Sequence, residues 1–193
     1  MMMPYAKRQR HSLITASRLA SEKHVDWLVK AVAEAKKSIP DVTLDIYGQG
    51  VQQKKLQELI DSLKAQDCIK LKGQQDLATI YQHYTGYIAA STSEGFGLSL
   101  MEAVGSGLPM IGFDVPYGNQ TFIEPDQNGY RLPYQSDWSE ERKVHELADA
   151  IVKLFSDDQK AASFSQKSYE LAKPYLDEKI AQKWQALVNE VTK

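Results

Sequence analysis

Short apolar, β-prone runs alternate with amphipathic stretches of helical period along this chain, and no other feature constrains its fold as strongly. The runs are "SLITAS" (12–17), "VTLDIYG" (42–48), "CIKLKG" (68–73), "GYIAAS" (86–91), "PMIGFD" (109–114) and "GYRLPY" (129–134). Each reads as a strand bounded by turn residues. Between them, "HVDWLVKAVAEAKKSI" sets Val25, Leu28, Val29, Val32 and Ala33 on one stripe before Pro40 stops it. "VQQKKLQELIDSLKAQ" does the same with Leu56, Leu59, Ile60 and Leu63. "LATIYQHY" predicts a short helix, and another is expected over 98–106, ended by Gly107 and Pro109. Three helical stretches, 140–155, 157–172 and 176–191, close the chain. Strands that alternate with helices form βαβ units and a parallel sheet. The expected fold class is therefore α/β: a Rossmann-like, doubly wound sheet of six strands with C-terminal helices. Such a sheet takes ligands at the carboxyl ends of its strands.

Composition narrows the function. A chain of 193 residues supports one domain, or a domain with a helical appendage. The net charge of −2 argues against a nucleic-acid partner, which would call for a basic excess. Cys68 is the only cysteine, so neither an internal disulfide nor a cysteine-rich metal site is expected. No apolar run reaches the roughly 18 residues of a membrane span, and "MMMPYAKRQRHSLIT" has no secretory core. A cytoplasmic setting, or the inner face of a membrane, is the expectation. Lys7, Arg8 and Arg10 are expected to be a solvated lead-in over 1–11, with a phosphate-facing patch as the alternative. His11, His24, His83 and His145 lack metal-ligand spacing and are expected on surfaces or helix faces.

The turns carry the chemistry. A dinucleotide-binding oxidoreductase needs glycines in the first strand-to-helix turn, so that backbone can approach a pyrophosphate. Here that turn is "ASRLASEKHVDWL", without a glycine, and "GQG" at 48–50 lacks a third. The first turn carries Arg18 and Lys23 instead. Two cations near a helix start suit a diphosphate, Arg as a fork and Lys as a point charge; the alternative is plain surface charge. In the fourth turn Gly95 and Gly97 permit close backbone approach, Thr92 and Ser93 supply hydroxyl donors, and the following helix start is a natural anion site. A carboxylate there repels phosphate, so Glu94 must serve another part of the ligand. Hydroxyl groups are its natural partners, and Glu102 can accept from a second pair. A diphosphate with a polyol at each end is a nucleoside-diphosphate sugar.

At these residues a resemblance becomes clear. "EGFGLSLMEA" resembles the E-x7-E motif of family-four retaining glycosyltransferases of the GT-B fold. "ASRLASEK" resembles that family's phosphate turn, "DIYGQG" its second-strand G-x-G, and "GSGLPMIGFDVPYGNQTFIEPDQNGYRLPY" the remainder, across 12–193. The resemblance implies that Arg18 and Lys23 meet the donor diphosphate, that Glu94 meets the donor sugar, and that Glu102 holds the ribose. It places Gly48, Gly95 and the backbone of Phe96, Gly97 and Leu98 against the donor, and the base near 69–73 and the loop after it. Glu94, Arg18 and Lys23 would carry the chemistry, a metal-independent transfer with retention from what is expected to be a UDP-sugar. One departure is visible: many members have glycine where this chain has His24.

The resemblance further implies that 12–174 is the donor half of a two-domain enzyme and that 175–193 crosses to an absent N-terminal acceptor domain. The "MMM" start fits an excised piece, which would bind nucleotide weakly and not turn over. Ile180, Trp184, Leu187, Val188 and Val191 form one apolar stripe on the last helix, for packing on the missing domain or on its own sheet. "RLASEKHVDWLVKA" and "FDVPYGNQTFIE" look most like Gram-positive transferases. These are enzymes that add N-acetylglucosamine to Ser-rich adhesins, working with a similar but inactive partner subunit, or poly(glycerol-phosphate) α-glucosyltransferases; the first group is preferred. The rival class is a non-catalytic partner or sugar-polymer-binding module on the same fold. Retention of Arg18, Lys23, Glu94 and Glu102 favours the transferase.

Overall fold

The computed structural model of the chain describes residues 3–191. Its elements are β1 (Ser12–Ala16), α1 (Val25–Ala35), β2 (Thr43–Tyr47), α2 (Gln53–Ser62), β3 (Ile69–Gly73), β4 (Gly86–Ala89), α3 (Leu98–Gly105), β5 (Met110–Phe113), α4 (Gly118–Phe122), β6 (Gly129–Leu132), α5 (Glu140–Phe155), α6 (Asp158–Ala172) and α7 (Asp177–Val191). The strands form one parallel sheet in the order β3-β2-β1-β4-β5-β6. The chain winds outward from β1 in one direction, then returns to lay β4 on the other side. Loops leaving β1 and β4 therefore diverge, and a crevice opens between them.

The strands are short and apolar because both sheet faces are covered. Successive side chains point to opposite faces. Leu13, Ile88 and Ile111 join one core, with Leu28, Val32, Leu147 and Ile151 from α1 and α5. Their neighbours Ile14, Tyr87 and Met110 join the other, with Leu100 and Val104 from α3. Ser139 caps α5 by accepting from the Arg142 amide, and Asp157 caps α6 by accepting from the Lys160 amide.

Several details depart from the sequence reading. The helix expected over 77–84 is only a 3-10 turn at Tyr81–His83. Residues three apart lie on one side of such a turn, which takes both Tyr81 and Tyr84 into the core. Leu63, expected inward, is 42% exposed, because α2 ends one residue before it. Helix α4 was not expected; its segment is short and has no apolar period, and Asn119 holds it by donating to the Phe113 carbonyl at 2.7 Å.

The solvated lead-in also needs correction. Lys7 and Arg10 are exposed, but Arg8 is 6% exposed. Its guanidinium donates to the carbonyls of Gly107 (2.9 Å), Ser106 (3.1 Å) and Tyr84 (3.3 Å), and to the Tyr169 hydroxyl (2.9 Å). Ser106 and Gly107 follow the C-terminus of α3, where a cation offsets the helix dipole. His11 is likewise buried, with Nδ1 2.6 Å from Asp41 Oδ1. On α7 the side chains of Trp184, Leu187, Val188 and Val191 are all exposed.

Candidate nucleotide-sugar site

A cleft of about 1030 Å³ lies at the carboxyl ends of β1, β2 and β3 and is walled by α3. Backbone geometry makes room for it. Gly48 has φ +127°, and a Cβ there would sit 1.8 Å from the Ser17 carbonyl oxygen; at Gly50 it would sit 2.4 Å from that of Leu19. The loop after β2 thus lies directly on the loop after β1. The Leu19 amide donates to Gln49 O at 2.9 Å, and the Gln52 amide to Leu19 O at 3.0 Å. The glycine-free first turn is set by glycines in the neighbouring loop.

Arg18 lines the cleft with its side chain 77% exposed, held loosely to Glu22 at 3.1 Å. Lys23 ends a 3-10 turn, and His24 after it adopts the left-handed conformation, φ 45° and ψ 42°. This conformation explains why glycine would be natural there. The imidazole stacks on Trp27 with centroids 3.7 Å apart, and burial holds its pKa below the ordinary value. Lys23 Nζ lies 2.7 Å from Glu94 Oε1. The Glu94 backbone is fixed from the other side: its amide donates to Pro116 O, and its carbonyl accepts from the amides of Tyr117 and Gly118.

Gly97, with φ 79°, turns the chain into α3 and its carbonyl accepts from the amides of Leu100 and Met101, which leaves the Leu98 and Ser99 amides at the helix start without intrahelical acceptors. Leu98, Ser99 and Glu102 of α3 line the cleft. Buried tyrosines orient two of them: Tyr87 Oη donates to Ser99 Oγ and Tyr81 Oη to Glu102 Oε2, each at 3.0 Å. Burial, first of all, raises the pKa of both phenols, Tyr87 to about 12 and Tyr81 further.

Of the residues expected in the site, Arg18, Gly48, Leu98 and Glu102 line the cleft. Lys23 and Glu94 are joined to each other. Gly95 and Phe96 lie on an exposed loop, where the Phe96 ring packs edge-on to Phe122 at 5.4 Å. Residues 69–73 do not line the cleft; Gln74, Gln75, Asp76, Leu77 and Tyr81 after them do. Gly50, Ser99 and Tyr81 are among the lining residues that sequence reasoning missed. The second glycine of "GQG" signalled the first of these; nothing local signalled the other two. Among the described residues no group of three or more His, Cys, Asp or Glu could hold a metal, and no helix is long and apolar enough to cross a membrane.

A family profile described as "Glycosyl transferases group 1" matches residues 6–171. The chain is 59% identical over 191 residues to the UDP-N-acetylglucosamine–peptide N-acetylglucosaminyltransferase GtfA subunit of Limosilactobacillus reuteri subsp. suis, covering 99% of this chain and 37% of that protein. It is 31% identical over 184 residues to the poly(glycerol-phosphate) alpha-glucosyltransferase of Bacillus subtilis, covering 95% of this chain and 26% of that one. A crystal structure of the pneumococcal O-GlcNAc transferase GtfA in complex with UDP and GlcNAc superposes with TM-score 0.93 at 51% identity, over 99% of this chain and 38% of that chain. The chain thus spans little more than a third of the length of the first of these relatives.

Proposed function

The chain belongs to the group 1 glycosyltransferases, and on that premise we propose that it is the donor-binding half of a retaining transferase that moves N-acetylglucosamine from UDP-GlcNAc to a protein. One observation carries the reading: Arg18 and Glu102 line one cleft at the carboxyl ends of the strands, and the loops that follow β1 and β4 are joined by the Lys23–Glu94 ion pair. Arg18 and Lys23 take the diphosphate. The first-turn amides of α3 stabilise the charge that develops on it as the anomeric bond breaks, with no metal required. Glu94 accepts from the sugar hydroxyls and Glu102 from the ribose. The relative at 59% identity supports N-acetylglucosamine over the glucose of the relative at 31%.

The acceptor is bound by the rest of the protein, and the apolar stripe of α7 packs against it. Because that first relative is named as a subunit, a partner chain belongs to the reading. A nucleotide-sugar donor supports a setting in the cytoplasm or at the inner face of the membrane. Titration calorimetry of the chain with UDP, UDP-GlcNAc, UDP-glucose, GDP and NAD tests the assignment. UDP and UDP-GlcNAc should bind, and Arg18→Ala should weaken both. Tight NAD binding, or indifference of UDP affinity to Arg18→Ala, would overturn it.

A further inference from the structure

The two cations assigned to the diphosphate are not equally available. Arg18 and Glu22 are both largely in water, with side chains 77% and 44% exposed, and such a pair holds its members weakly. The side chains of Lys23 and Glu94 are only 13% and 14% exposed and meet at 2.7 Å. They come from loops on opposite sides of the crevice, and both backbones are anchored. The His24 stack on Trp27 holds Lys23 in place, and the three hydrogen bonds to residues 116–118 hold Glu94. A mostly buried carboxylate deprived of its counter-charge is costly.

We infer that the Lys23–Glu94 ion pair makes this site discriminate against a bare nucleoside diphosphate and in favour of one that carries a sugar. The inference rests on the reading of the site given above. A bare diphosphate draws Lys23 onto its oxygens and leaves Glu94 facing added negative charge without a partner. A sugar on the same diphosphate brings hydroxyl donors that take the place of the ammonium on Glu94. Glu94 thus acts on both sides of the reaction: it accepts the donor sugar, and it opposes retention of the nucleotide product.

The test is a double-mutant cycle by calorimetry on this chain, with UDP and UDP-GlcNAc as ligands. Removing a like charge from a poorly solvated site should make Glu94→Gln bind UDP more tightly, by about fivefold or more. The same variant should bind UDP-GlcNAc more weakly. The UDP gain should be smaller in a Lys23→Gln background, where no pair exists to break. Glu94 is fixed through its backbone, so Glu94→Ala should fold and show the same UDP gain. Unchanged or weaker UDP binding in both Glu94 variants overturns the inference, as does an equal gain with and without Lys23. Failure of the unsubstituted chain to bind UDP overturns the site reading, and the inference falls with it. Normal UDP binding that Arg18→Ala weakens and Glu94→Gln leaves untouched removes this inference alone.

Discussion

Gly48→Ala should unfold this domain at markedly lower denaturant, and the structure says by how much. The new Cβ would stand 1.8 Å from the Ser17 carbonyl oxygen, on a backbone at φ +127°. The obstacle is backbone, so no side-chain rotamer relieves it. The loop after β2 must lift away from the loop after β1. That endangers the hydrogen bonds Ser17 N to Tyr47 O (3.1 Å), Leu19 N to Gln49 O (2.9 Å) and Gln52 N to Leu19 O (3.0 Å). Strain of about 1–3 kcal/mol, plus about 1 kcal/mol for each of two lost hydrogen bonds, gives a cost of about 3–5 kcal/mol. For a chain of this size that lowers the melting temperature by about 6–20 °C. Urea unfolding followed by circular dichroism measures it, with Gly95→Ala as control. A Cβ at Gly95 meets nothing within 4 Å, so that variant should stay within about 0.5 kcal/mol of the parent. A Gly48→Ala midpoint within about 1 kcal/mol of the parent, at unchanged slope, would refute the packing argument.

Three further outcomes are expected. Tyr81→Phe removes the hydrogen bond that orients Glu102 and should weaken UDP by about five- to tenfold, in line with a hydrogen bond to a charged group. A 2′,3′-dideoxy analogue of UDP should bind both forms alike, and equal losses for the two ligands would mean that Tyr81 only supports the fold. His24 has its pKa held below 6.5 mainly by burial, so its contribution is fully present above pH 6.5 and is lost as pH falls toward the depressed value, because the unfolded chain takes up the proton first. His24→Asn, which tolerates the left-handed backbone, should flatten the decline in urea midpoint between about pH 6.5 and 5; parallel declines would assign it to other groups. Trp184 is 63% exposed, so Trp184→Glu should leave the melting temperature, read by circular dichroism, within about 2 °C of the parent; a large thermal loss would mean that α7 packs on its own domain.

The sheet was legible because strands covered on both faces show as bare apolar runs, and because alternation with helices forces parallel crossovers. Arg18 and Glu102, which line the cleft, were legible because the first turn and E-x7-E lie within short windows of sequence. What escaped involves partners far apart in the chain. Tyr81 meets Glu102 across 21 residues, Lys23 meets Glu94 across 71, and Arg8 meets Gly107 across 99. Local pattern carries no record of such pairings. The 74–81 wall of the cleft escaped for another reason: a 3-10 turn and its flanking loop have neither of the periods by which elements are recognised.

Arg8 bears on where a usable fragment can start. Its guanidinium closes one end of α3, and the other end of the same helix faces the cleft. The helix has 8 residues, and at about 1.5 Å per residue the two ends lie about 12 Å apart. Trimming the chain to the first strand would therefore strip the charge that balances the carbonyl end, loosen the helix, and disturb the end that lines the cleft. The residues ahead of the first strand thus bear on the cleft from the opposite end of a helix, and a shortened version should begin no later than Tyr5, whose hydroxyl donates to the Thr85 carbonyl.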